Sequence, residues 1–336
     1  MSNYTVSYAP HINDPVTTNR IMLDVVIALC PAFLCANIVF GFRASLVVGV
    51  CVATCVLCEG LYEKAMGRPL TIRDLSAVVT GMILAYNLPV TIPLWQAVFG
   101  SAVAILMVKQ LFGGLGKNFA NPAVTGRIVM FLAFSSSMTT WIKPYNAISD
   151  MFTGAIAGMP TDAITGATVD VVADAITGAT PLALIAKGQL DAMPSLWNLF
   201  LGIRGGCLGE TSVLALLIGG AYLLIRRVIS WHAPVSFIAT VFALTALLGA
   251  HPVYQILSGG LFLGAFFMAT DYVTTPITDE GRAIFGVGAG ALTVIIRLYG
   301  SYPEGVSFAL LIMNTLVPYI NKLTFHKALG GQTREK

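Results

Sequence analysis

Apolar stretches about as long as a bilayer is thick recur down this chain, and they limit its fold more than any motif does. Eight are clear: 21–40, 44–61, 94–111, 211–225, 234–249, 254–269, 283–298 and 305–323. Two more, 75–88 and 122–134, are shorter; the first ends at Pro89, and the second carries Arg127, whose long side chain can snorkel to an interface. A helix needs about 20 apolar residues to cross a hydrocarbon core of about 30 Å. Charged residues make up 10% of the 336, against about 25% in soluble domains, which is too few to clothe a soluble surface. The reading is therefore an all-α polytopic membrane protein with about ten transmembrane helices.

The long interval between the fifth and sixth spans, residues 135–210, is the exception. It is polar, shows no sustained helical or strand period, and reads as an ordered loop domain. The chain then divides into an N-terminus (1–20), a first five-helix repeat (21–134), the loop (135–210), a second five-helix repeat (211–323) and a tail (324–336). Lys and Arg orient it. With the N-terminus in the cytoplasm, 14 of the 19 basic residues fall on the cytoplasmic side and 5 on the other. Both termini are then cytoplasmic and the loop is extracytoplasmic. Residues 1–20 are polar, so no cleavable leader is expected.

The halves echo one another. "LPVTIPLWQAVFGSAVAILMVKQLFGGLGKNFANPAVTGR" and "GAHPVYQILSGGLFLGAFFMATDYVTTPITDEGR" each run from a Pro through a Gln and a Gly-rich span to a turn ending in Gly-Arg. Five spans per repeat is an odd number, so the repeats must be inverted in the membrane. Breaks are expected at Asn121-Pro122 and Thr275-Pro276, where interrupted helices leave backbone groups free for an ion or polar cofactor. The six cysteines form no disulfide framework; Cys51, Cys55 and Cys58 share a helix face and read as small apolar residues, with no metal expected. A net charge of +3 gives no reason to expect nucleic acid.

Within the loop, Asp-Ala-Ile-Thr-Gly-Ala-Thr occurs at 162–168 and again at 174–180. The phrase has no metal-ligand spacing and no base beside a nucleophile. Gly and Ala do leave the last threonine hydroxyl open to a modifying enzyme. It resembles D-x-x-[S/T]-G-A-[S/T], the acceptor signature for covalent flavinylation, in which a flavin transferase moves FMN from FAD onto Ser or Thr. With "DAITGATPLA", "NPAVTGR", "DYVTTPIT" and spans split five and five, the chain is similar to the RnfD (RsxD) protein of the Rnf complex over about residues 5–325. The related NqrB protein of the sodium-pumping NADH:quinone oxidoreductase is an alternative, but it carries a longer N-terminal extension. Only the second copy continues as Pro181-Leu182-Ala183, the family continuation, so Thr180 is the expected FMN phosphoester residue, with Asp174, Thr177, Gly178 and Ala179 as its motif and Thr168 as runner-up.

The resemblance implies a membrane component, with no complete active site of its own, in a complex that passes electrons between ferredoxin and NAD and moves Na⁺ or H⁺. The other Rnf proteins (RnfA, RnfB, RnfC, RnfE and the flavinylated RnfG) are the expected partners in a bacterial cytoplasmic membrane. It also implies a second, non-covalent flavin (riboflavin or FMN), for which the two breaks near Asn121 and Thr274 are the places to look. Moving a unit charge across the bilayer involves about 2.3 kcal/mol per 100 mV, and intramembrane carboxylates are the natural ion carriers. Asp271, Asp24 and Glu59 are the candidates. A solute channel or transporter built on an inverted repeat is the rival class.

Overall fold

The computed structural model describes residues 17–141, 180–186, 193–202, 204–300 and 304–325. Among them the chain is helical, with no strand. Four helices are long and apolar enough to cross a membrane: α1 (Thr18–Phe40), α2 (Phe42–Ala65), α13 (Asp279–Tyr299) and α14 (Val306–Thr324). Between them lie α3 (Ser76–Tyr86), α4 (Leu94–Val103), α5 (Pro122–Ala133), α9 (Val213–Ile225), α10 (His232–Leu247) and α12 (Leu261–Leu263). Short helices α6 (Ser135–Met138), α7 (Pro181–Ala186), α8 (Leu196–Leu201) and α11 (Pro252–Leu257) flank them. This is the architecture of a polytopic membrane protein.

The shorter segments need help to reach across a bilayer. At 1.5 Å per residue, α3, with 11 residues, spans only about 16 Å. Irregular backbone at membrane depth is tolerated only where protein covers it. After α3 the chain passes through buried turns, and residues 207–210 lie against it: Leu208 N–H donates to the Leu88 carbonyl (3.0 Å) and Gly209 N–H to that of Tyr86 (2.9 Å). A Cβ at Gly209 would collide with the Tyr86 side chain, so only glycine allows this approach. The Arg43 guanidinium satisfies the Val90 and Ile92 carbonyls ahead of α4. In the second half Arg297 does the same for Gln255 and Ser258 ahead of α12.

Helices α4 and α12 both end in π-helical turns, Ala104–Gln110 and Gly264–Met268. A π turn shifts the register by one residue. The first brings consecutive Lys109 and Gln110 inside, whereas the second is wholly apolar. Small residues set the tightest helix pair. Gly286 and Gly290 of α13 admit α10, where an added Cβ would lie 2.6 Å from the Ala233 carbonyl or 2.7 Å from Thr240.

Three expectations need correction. The span read as 254–269 is broken: α11 stops at Leu257, Ser258 is extended, and Gly259 adopts φ +68° before α12 begins. The second break does not restart a helix at Pro276; Thr278 caps α13 at Asp279, its hydroxyl accepting from Gly281 N–H. Arg127 does not snorkel. It is 4% exposed, because carboxylates inside the protein receive it.

Candidate functional site

Two polar sites occupy opposite ends of the helices. The first lies at the end where α5 finishes and α14 begins. Arg127, in the middle of α5, meets groups from three other segments. Its Nη1 donates to Ser307 Oγ (2.7 Å) and Asn87 Oδ1 (3.1 Å). Its Nη2 pairs with Glu210 (3.4 Å), with Glu304 and with the Cys207 sulfur. Cys207, Glu210 and Glu304 have ligand atoms within 4.8 Å of one another, as in a metal site. Here the guanidinium occupies the position a cation would take.

Beside this cluster is a small recess of about 10 Å³, lined by Thr180, Arg204, Gly205, Gly206, Glu210 and Gly259 among others. That is room for about one water. Thr180 is partly exposed at its rim; its Oγ1 accepts from Ala183 N–H (3.3 Å) and so caps α7. Arg204 is buried and donates to the Glu210 carbonyl at 2.5 Å. Burial lowers its guanidinium to about 10, with Glu210 and Cys207 pulling it back up, so it stays charged at neutral pH. Of the glycines there, Gly206 has nothing within 4 Å of where a Cβ would stand, whereas Gly259 is packed against Leu182 and Arg297. The recess itself is too small for a phosphate and is lined by Glu210 and Glu304 as well as Arg204, so a group on the partly exposed Thr180 would stand outside it. Thr168, Asp174, Thr177, Gly178 and Ala179 lie outside the described residues.

The second site is a cavity of about 90 Å³ at the other end, where α3 and α5 begin and the two π turns finish. It is lined by Ser76, Lys109, Asn118, Asn121, Asp271 and a larger set of apolar side chains. Asn121 caps α5, accepting from Ala123 and Val124 N–H. Thr274 is buried next to the cavity and donates to Asp271 Oδ2 at 3.0 Å. Asn314 of α14 joins the breaks. With its amide oriented to satisfy its neighbours, it donates to the Thr274 carbonyl (3.1 Å) and accepts from Asn121 N–H (3.1 Å).

The acidic candidates are separated. Asp24 is buried, accepts from the Tyr222 hydroxyl (2.8 Å) and pairs with Arg226 (3.2 Å). Glu59 is fully buried: Lys109 stands 2.6 Å and Gln110 Nε2 2.8 Å from its Oε1, while its Oε2 has no partner. Asp271, in the turn between the second π segment and α13, lines the cavity. Burial pushes its carboxyl up, and hydrogen bonds from Thr274 and Val273 oppose that. Sequence reasoning missed Glu210, Glu304, Arg204 and Asn314. Glu210 and Glu304, acidic residues at the lips of apolar runs, were the available signal.

The chain is similar to curated proteins along nearly its whole length. It is 43% identical over 330 residues to the D component of the Na(+)-translocating ferredoxin:NAD(+) oxidoreductase complex of Acetobacterium woodii, covering 98% of this chain and 96% of that one. It is 39% identical to the D component of the proton-translocating ferredoxin:NAD(+) oxidoreductase complex of Clostridium ljungdahlii (96% and 94% covered). It is 40% identical to the D component of the ion-translocating oxidoreductase complex of Stutzerimonas stutzeri (95% and 94%). The model of the NQR2, RnfD, RnfE family matches residues 5–330, and the chain belongs to that family.

Proposed function

We propose that the chain is the RnfD-type membrane component of an Rnf complex and that it carries electrons through FMN esterified to Thr180. Its relatives are named as components of ion-translocating ferredoxin:NAD(+) oxidoreductases. The observation that carries the cofactor reading is Thr180 itself, a partly exposed threonine that caps α7 beside a recess lined by glycines, Arg204, Glu210 and Glu304. In the maturation step, Thr180 Oγ1 bonds to the flavin-side phosphorus of FAD. The P–O bond to the AMP half breaks, AMP leaves, and the hydroxyl proton passes to a base of the transferase. The bound flavin supplies the electron-transfer chemistry. Thr180 provides the tether, which replaces affinity with a permanently high local concentration.

In this reading the recess faces the extracytoplasmic side of a bacterial cytoplasmic membrane, the termini are cytoplasmic, and about ten crossings form two inverted repeats. Flavinylated RnfG, with RnfA, RnfB, RnfC and RnfE, makes up the set of partners, and a flavin transferase is needed for maturation. Asp271 and Asp24 stay the proposed ion residues. The proposed place for a second, non-covalent flavin is the cavity between Asn121 and Asp271. At about 90 Å³ it is well below the roughly 300–1,000 Å³ of ligand pockets, so a flavin ring enters only if its walls part.

Peptide mass spectrometry of native protein tests the main reading. The fragment holding Thr180 should carry the FMN mass, and Thr180→Val should abolish in-gel flavin fluorescence. Retained fluorescence at full intensity would refute the assignment to Thr180.

A further inference from the structure

Both copies of the repeated phrase end in a threonine, and the residues that follow set them apart. After Thr180 come Pro181, Leu182, Ala183 and Leu184; after Thr168 come Val169, Asp170, Val171 and Val172. Pro181 takes the first position of α7, where its fixed φ suits a helix start and no N–H is needed. Thr180 closes the first turn, its Oγ1 accepting from Ala183 N–H (3.3 Å) and its carbonyl from Leu184 N–H (3.0 Å). With six residues, α7 is too short to hold by itself. Its buried face holds it: Pro181, Leu182 and Leu184 are buried, Leu182 at 4% exposure.

The socket for Leu182 is the break between α11 and α12. Gly259 sits there at φ +68°, and a Cβ on it would stand 2.7 Å from Leu182 Cδ1, so the leucine tip rests on bare backbone. Arg297 braces the turn from α13, donating to the carbonyls of Gln255 (2.7 Å) and Ser258 (3.2 Å). The break that interrupts the span 254–269 thus receives a side chain from the segment that follows Thr180.

We propose that Leu182 is the plug that seats the second copy of the phrase and fixes where Thr180, with any group it carries, stands relative to the helices. The matching residue of the first copy, twelve positions earlier, is Asp170. It is short and charged, and offers no apolar tip to a socket that holds one. The seat therefore distinguishes Thr180 from Thr168. This rests on the reading that Thr180 bears FMN. Leu182 acts only by holding α7, so it is a positioning residue.

Amide hydrogen exchange in the full chain, expressed without a flavin transferase, reads the docking alone. Burying a leucine side chain shifts such an equilibrium about tenfold or more. Leu182→Ala should therefore speed exchange of the Leu184 N–H by about that factor. Leu182→Met, which keeps the plug, should not, and neither should Gly286→Ala, a destabilising change elsewhere. Unchanged exchange in Leu182→Ala overturns the proposal. Leu182→Asp copies the first phrase and should exchange as fast as Leu182→Ala; protection at the wild-type level would mean that Arg297 accepts the carboxylate, and would overturn the distinction between the copies.

The full chain co-expressed with a flavin transferase gives the second readout, at occupancies of Thr180 matched by mass spectrometry. Fluorescence anisotropy of the covalent flavin should fall in Leu182→Ala and stay at the wild-type level in Leu182→Met. Wild-type anisotropy in modified Leu182→Ala overturns the positioning role and leaves the flavin reading standing. A bare Thr180 in native protein overturns both.

Discussion

"NPAVTGR" and "PITDEGR" end alike, and the sequence sets them at matching places in the two halves. Their arginines have opposite fates. Arg127 is buried among Asn87, Glu210, Glu304 and Ser307, whereas Arg282 lies in the first turn of α13 beside exposed Asp279 (2.9 Å). The cause is where each helix starts. Asn121 caps α5 immediately before Pro122, so the sixth helical residue is the arginine, and it has already entered the protein. Thr278 delays α13 to Asp279, so its arginine is the fourth residue and stays at the surface. A shift of two positions in helix register decides whether one cation holds two carboxylates inside the protein or joins an exposed pair worth little.

Removing the charges should separate the two turns most widely. Arg127→Leu leaves Glu210 and Glu304 uncompensated and should cost about 3–5 kcal/mol; Arg282→Leu should stay within about 1 kcal/mol. Thermal unfolding in detergent reads both, and equal losses would mean that the register argument is wrong. Glycines give the next contrast. Gly286→Ala in α13 must push against the Ala233 carbonyl and should cost about 1–3 kcal/mol. Gly49→Ala in α2 meets nothing within 4 Å and should be neutral or stabilising by up to about 1 kcal/mol. The helix caps come third: Asn121→Ala and Thr278→Ala should each cost about 1 kcal/mol. Asn121→Ala should also disturb the cavity, which Asn121 lines, and Thr278→Ala should not.

The smallest effect concerns pH. The Asp271 carboxyl is raised in the folded protein, so the native state binds its proton more readily than the unfolded chain does. Stability from this group therefore increases as pH falls through the raised value and declines as pH rises. Asp271→Asn should flatten that slope in unfolding curves recorded across the acidic range. An unchanged slope would place the titrating group elsewhere.

Much of the helical inventory was legible, because a run of Val, Leu, Ala and Ile long enough to span lipid has few alternatives to a helix. The short segments 75–88 and 122–134 correspond to α3 and α5, and the boundaries of α1, α9 and α14 fall within three residues of the apolar runs. Less could be read where a glycine or a cap overrides composition. The Gly259 turn that divides 254–269 looks, in sequence, like any glycine in a membrane helix. At the candidate site Thr180 could be proposed from sequence because the motif lies in neighbouring residues. Arg204, Glu210 and Glu304 could not, because they are scattered through the chain and become a cluster only when α5, the 204–210 loop and the start of α14 meet.

By itself the sequence determined that this chain lives in lipid and that its helices are many, since the burial of backbone polar groups is a short-range matter. Tertiary structure alone decided which charges share an interior and which break joins which. Those pairings depend on helix register and on close backbone approach between segments far apart in the chain, and a low-dielectric interior makes each pairing energetically decisive.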